Sequence, residues 1–178
     1  MSARVAAELS AIRPWDDIER AHLEDAIAWA NSGAQLCRLE KPATPAKHLV
    51  AYFAVIDGDR MLLVDHRAAQ LWLPTGGHVE PDEDPRVTVV RELQEELGLD
   101  IPLERIGPPL MVTVTNTVGL TPGHTDVSLW YTVNANQHQP LSFSREEFHE
   151  VRWFDLSAAP LGRSDPHLSR FIAKLRTV

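Results

Sequence analysis

Hydrophobic and polar positions alternate along this chain in two rhythms, one near 3.6 residues and one near 2. In "PWDDIERAHLEDAIAWANSG" (14–33), Ile18, Leu23, Ala26, Ile27 and Ala30 recur at helical spacing. Pro14, Asp16 and Asp17 mark the start of this predicted helix and Gly33 its end. "LEKPATPAK" (39–47) carries two prolines and reads as a connector. "HLVAYFAVIDGDRMLLVDHR" (48–67) predicts a β-hairpin, with Asp57-Gly58-Asp59 as its turn. "LWLPTGGHVEPDEDP" (71–85) reads mostly as loop. A short strand is expected over 99–106, and stronger ones over 110–118, 125–135 and 150–156. "PHLSRFIAKLRTV" closes the chain as a helix. Strands and helices mix without strict alternation, so the fold class expected is α+β, a mixed sheet between helices. The expected division is a helical extension and connector over 1–46 and a main domain over 47–178.

One further helix holds the most informative pattern. Asp84 suits its N-cap, Pro85 its first position, and Gly98 the position past its end. At 100° per residue, Val87, Val89, Val90, Leu93 and Leu97 share one side. Glu92, Glu95 and Glu96 fall within an arc of roughly 100° elsewhere, expected to face solvent. Three carboxylates near a helix C-terminus oppose the helix dipole and repel one another. They form either a solvated acidic face, with Arg91 reaching Glu95, or a site for a hard divalent cation.

Composition narrows the partners. The chain has 178 residues, is 44% hydrophobic and 24% charged, and carries a net charge of −8. That charge argues against nucleic-acid backbones and acidic membranes as partners, while leaving room for a small anion that arrives with its metal. The single cysteine, Cys37, allows no intramolecular disulfide and reads as a packing residue. No signal peptide or bilayer-spanning run is read, so cytoplasm is the expected location.

The residues before the helix choose between the two readings. From Gly77 the chain runs "GHVEPDEDPRVTVVRELQEELGL": Gly77, five residues, Glu83, seven residues, then Arg91-Glu92-Leu93-x-Glu95-Glu96-x-Gly98-Leu99. This resembles the Nudix box, G-x5-E-x7-R-E-U-x-E-E-x-G-U with U aliphatic, at every defined position. Chance agreement has odds on the order of 10⁻⁷ or less at average residue usage. The flanking pattern resembles a Nudix domain over roughly 47–156.

The resemblance implies an α/β/α sandwich around a mixed sheet, with an N-terminal helical extension outside the box. It implies hydrolysis of a nucleoside diphosphate derivative with Mg²⁺, or Mn²⁺, as cofactor. Glu92, Glu95 and Glu96 then correspond to metal ligands, joined by the Gly76 carbonyl. Arg91 corresponds to the residue that orients the glutamates through an ion pair with Glu83. The general base is a box glutamate, Glu92, or an acid of a later loop, Glu146, Glu147 or Glu150, with Glu147 the expected one among the later acids.

Outside the box, Arg67 suits a substrate phosphate, and His124 and Asp126 suit polar groups of the substrate. Each also has a plain surface or hairpin-end reading. His78 occupies a variable box position and is assigned no role, and the histidines show no H-E-x-x-H spacing. Trp72, Trp130 and Trp153 read as core. A small nucleotide such as a nucleoside triphosphate is the preferred substrate class, ahead of ADP-ribose or another nucleotide sugar and dinucleoside polyphosphates. The other classes weighed are a non-catalytic nucleotide sensor and an isopentenyl diphosphate isomerase-like enzyme. The latter uses a cysteine beside its metal, and "LPTGGHVE" has none. The N-terminal helix packs on the domain or builds a homodimer contact.

Overall fold

The computed structural model describes residues 2–41, 44–117 and 123–178. Pro42 and Ala43 of the expected connector, and Val118 at the expected end of a strand, lie outside them. The elements are α1 (Ser2–Ala11), α2 (Asp17–Asn31), β1 (Lys47–Asp57), β2 (Arg60–His66), β3 (Leu71–Leu73), β4 (Thr75–His78), α3 (Pro85–Leu97), β5 (Met111–Asn116), β6 (Thr125–Asn134), β7 (Phe148–Asp155) and α4 (Leu168–Leu175). The strands form one seven-stranded sheet in the order β3-β2-β1-β6-β5, with β4 on β1 and β7 on β2. β1 and β6 are parallel over ten residue pairs, Lys47–Thr125 to Ile56–Asn134, and every other pairing is antiparallel. The mixed sheet expected from the sequence is present.

The hairpin turn falls where expected, with Asp57 opposite Arg60 and Gly58 at φ +56°. Its arms then part. β2 pairs β1 only at Val55–Asp57, while β4 pairs β1 at Val50–Phe53 and β3 pairs β2 at Val64–His66. The segment read as loop is thus two short strands filling the wedge between splayed arms. Gly76 and Gly77 carry no side-chain pattern that would signal a strand, and only the pairing partner makes them one. Residues 99–106 are likewise not a strand: Leu103–Arg105 form a 3₁₀ turn behind Pro102, which has no N–H to give a ladder. Helix α1 has no counterpart in the sequence reading.

Alternation along β1 sorts the core into two layers. Leu49, Ala51, Phe53 and Val55 pack with Val5 and Leu9 of α1, Leu23, Ala26 and Ala30 of α2, and Val89, Leu93 and Leu97 of α3. Ala54 and Ile56, with Tyr52 against them, face Leu168, Phe171 and Ile172 of α4. Two expected apolar positions differ. Ile18 is 54% exposed and Val87 39% exposed, whereas Thr88 is fully buried because its hydroxyl donates to Glu83 at 2.7 Å. Trp72 and Trp130 are core, and Trp153 is partly buried against it.

Charge fixes the start of α2 against α4. Asp16 caps α2 by accepting from the Glu19 N–H at 2.8 Å and also accepts from Arg170 Nε at 2.8 Å. Beside it, the buried Lys174 and Glu19 pair at 2.5 Å. The Arg170 hydrogen bond holds the Asp16 pKa down at about 2, below its ordinary 3.8. A depressed carboxyl pKa contributes stability that is present above pH 3.8 and lost as pH falls toward 2. Asp16→Asn keeps the capping oxygen and loses the ion pair. It should cost about 1 kcal/mol at pH 7 in urea unfolding. That difference should shrink between pH 4 and pH 2; an undiminished difference at pH 2 would refute the assignment.

Candidate functional site: a carboxylate cradle on the β4 wedge

Helix α3 begins at Asp84, whose carboxylate accepts from the Arg86 N–H at 2.9 Å, and ends at Gly98, at φ +66°. Both ends lie where the sequence puts them. The helix rests its Glu92 side on β4. A Cβ at Gly77 would stand 1.9 Å from Glu92 Oε1, and one at Gly76 would stand 2.7 Å from the Ala51 carbonyl oxygen. Glycine is therefore required twice, once to admit the carboxylate and once to admit β1.

Arg91 ties the parts together. Its guanidinium donates to Glu83 Oε1 and Oε2, each at 3.2 Å, to Glu92 Oε1 at 2.5 Å, and to the His78 carbonyl oxygen at 3.2 Å. Glu95 Oε2 lies 3.5 Å away. Burial works against ionisation of Glu83, yet the hydrogen bonds from Arg91 and Thr88 outweigh it and hold its pKa below the usual value. The hydrogen bond to Glu83 raises the Arg91 pKa in turn.

The other box carboxylates stand under opposite pressure. Burial raises the Glu92 pKa against the pull of Arg91, with Glu95 and Glu147 adding to the rise. At Glu96, burial first and then the charges of Glu92 and Glu147 push the pKa up to about 9. The exposure expected for the trio thus holds for Glu95, 61% exposed, and fails for Glu92, 13% exposed and tied to Arg91, and for Glu96, whose Oε2 is buried without a hydrogen-bond partner. Packing α3 on β4 closes over Glu96, which a helical wheel cannot register. An enclosed acceptor oxygen beside two other carboxylates is the environment a divalent cation relieves. Glu92, Glu95, Glu96 and the Gly76 carbonyl could hold one.

Of the three later acids, Glu147 is the one whose charge bears on both Glu92 and Glu96, while Glu150 pairs with Arg152 at 2.7 Å. Arg67 is exposed, and its backbone N–H donates to the Glu147 carbonyl oxygen at 2.9 Å. Arg67 and Glu147 therefore lie on adjoining loops at the site.

His124 and Asp126 lie elsewhere. His124 immediately precedes β6 and Asp126 is its second residue, and alternation puts Asp126 opposite His48 on the α4 side of the sheet. His78, opposite Val50, joins them there, its neighbour Gly77 facing α3. His48, His78, His124 and Asp126 offer ligand atoms all within 4.8 Å of one another. Burial lowers the His78 pKa to about 4. The sequence reading missed His48 and His78. The usable signal was His124-x-Asp126, two ligand types on one strand face, but the strands they meet come from distant segments. A cavity of about 530 Å³ lies at the other end of β1 around Asp57, Gly58 and Arg105, away from both groups. Cys37 is buried, and burial raises its pKa to about 11, as befits a packing residue.

The family model for the NUDIX domain matches residues 46–175. A Nudix hydrolase of Bacillus subtilis, YvcI, is 29% identical over 121 residues, covering 65% of this chain and 73% of that protein. The CTP pyrophosphohydrolase of Escherichia coli is 48% identical over 52 residues, which cover 26% of this chain and only 38% of that protein's length. Among solved structures, a MutT NUDIX hydrolase from Burkholderia pseudomallei superposes with a TM-score of 0.59 at 21% identity, covering 72% of this chain and 98% of that one. That likeness is one of fold. With the complete box seated on this sheet, the chain belongs to the Nudix hydrolase family, enzymes that act on pyrophosphate bonds.

Proposed function

We propose that this chain is a Mg²⁺-dependent pyrophosphohydrolase of small nucleotides, with nucleoside triphosphates as the substrate class. The observation that carries the metal is Glu96, an enclosed carboxylate with an unpartnered oxygen beside Glu92. Nucleoside triphosphates are favoured by the 48% identity to a CTP pyrophosphohydrolase. That stretch is short, so ADP-ribose, other nucleotide sugars and dinucleoside polyphosphates form the rest of the test panel.

Bound divalent ions would neutralise the diphosphate and lower the pKa of a water. Glu92, Glu95, Glu96 and the Gly76 carbonyl would hold them. Arg91 keeps Glu92 oriented and ties it to Glu83 and the strand below. Glu147 accepts the proton of the attacking water. The water oxygen bonds to one phosphorus, the bridging P–O bond breaks, and the leaving phosphate takes the electron pair. Arg67 meets a phosphate oxygen from the adjoining loop.

Three outcomes test this reading. Glu96→Gln should lower kcat by roughly 100-fold or more with the fold retained, measured as phosphate release with Mg²⁺. A wild-type rate in that variant would overturn the site. Gly77→Ala should lower kcat roughly 10- to 100-fold by displacing Glu92, with little change in melting temperature. A third outcome concerns pH. A folded carboxyl pKa raised to about 9 from 4.5 means that the folded chain binds the extra proton. Stability in chelator should then fall as pH rises from 4.5 toward 9. Mg²⁺ and Glu96→Gln should each flatten that slope, and melting curves across this range read it directly.

A further inference from the structure

We propose that His48, His78, His124 and Asp126 form a second metal site, for a four-coordinate transition ion such as Zn²⁺, separate from the box carboxylates. His48 is fully buried, and its Nδ1 lies 2.9 Å from the Pro45 carbonyl oxygen. A carbonyl only accepts, so Nδ1 carries the proton and Nε2 is the atom left to face the cluster. His124 is oriented in the same way. The Thr117 hydroxyl donates to the His124 carbonyl oxygen at 3.2 Å, which leaves its oxygen to accept from His124 Nδ1 at 3.1 Å. Outer partners that fix the imidazole tautomer are what ligating histidines require.

The inner atoms converge without bonding to one another. Asp126 Oδ1 lies 3.3 Å from His48 Nε2 and 3.4 Å from His124 Nε2. Yet His48 Nε2, His78 Nε2 and Asp126 Oδ1 are all buried without hydrogen-bond partners. The contacts are close but misdirected for direct hydrogen bonds, as expected of lone pairs aimed at a shared centre. Metal–ligand distances of about 2.0–2.1 Å give a tetrahedral edge of roughly 3.3 Å, which matches both separations. The rings of His48 and His124 stack with centroids 4.8 Å apart, and those of His48 and His78 lie at the same distance. Three imidazoles and one carboxylate select a borderline ion and disfavour Mg²⁺, which demands oxygen ligands.

Four protein ligands leave no open position, so the role is structural. The ion would pin the first residues of β1 and β6 to the last residue of β4. It therefore anchors His78, whose carbonyl oxygen accepts from Arg91 on the opposite face.

Tag-free protein stripped with chelator and returned to excess Mg²⁺ should take up one equivalent of Co²⁺ or Zn²⁺. The Co²⁺ form should show the visible absorption of a four-coordinate ion, and Zn²⁺ should protect the amides of residues 76–79 from hydrogen exchange. Co²⁺ uptake should be lost in His124→Ala and Asp126→Asn and kept in Glu92→Gln. Wild-type protein that takes up no stoichiometric Co²⁺ or Zn²⁺ under excess Mg²⁺ would overturn the site, whatever the folding of the variants. So would uptake that survives in folded His124→Ala and vanishes in Glu92→Gln.

Discussion

The Arg91 guanidinium is the joint on which this structure turns. It holds the box loop through Glu83, the helix through Glu92, and the sheet through the carbonyl oxygen of His78. Three segments that would otherwise drift independently meet at one planar, permanently charged group with donors in fixed directions. A lysine could neutralise the charge but could not reach three partners in one plane. Arg91 also offsets part of the repulsion among the carboxylates, at the Glu92 end. None of its hydrogen bonds goes to Glu96, whose buried Oε2 stays without a partner and whose pKa stays raised.

The wedge between β1 and β2 gives that joint its floor. Because the hairpin arms part after Leu62, a glycine pair can lie flat against β1 and accept a helix carboxylate at contact distance. Gly76, Gly77 and His78 then serve both faces. Gly77 faces α3 and the oxygen-rich box, whereas His78 faces α4 and a nitrogen-rich cluster. Strand alternation separates two ligand chemistries by the thickness of one sheet. Tyr52, partly buried on the α4 side opposite Gly76, stands between them, its pKa raised by burial first and then by Asp165, Asp126 and Glu96.

Helices α1 and α2 are built into the same core as the box helix. Val5, Leu9, Leu23 and Ala26 share one apolar cluster with Leu93 and Leu97. At its start, α2 reaches α4 on the other side of the sheet through the Asp16–Arg170 and Glu19–Lys174 pairs. A polar clamp at the rim thus links the two layers, while apolar burial supplies most of their adhesion.

What the sequence by itself determined was local. The caps of α3 at Asp84 and Gly98, the turn at Gly58, the strands β5, β6 and β7, and the box that names the family all depend on spacing within some twenty residues. Tertiary structure decided everything that needed a distant partner. Gly76 and Gly77 became strand because β1 lay beside them, and residues 99–106 did not because Pro102 and the chain's turn gave no ladder to join. Glu96 was enclosed by packing that no helical wheel contains. His48, His78 and His124 met only when parallel β1–β6 pairing and antiparallel β1–β4 pairing fixed the register. Spacing along a chain encodes which residues share a face, but the distance between faces is set by long-range pairing, and sites assembled from several strands are written there.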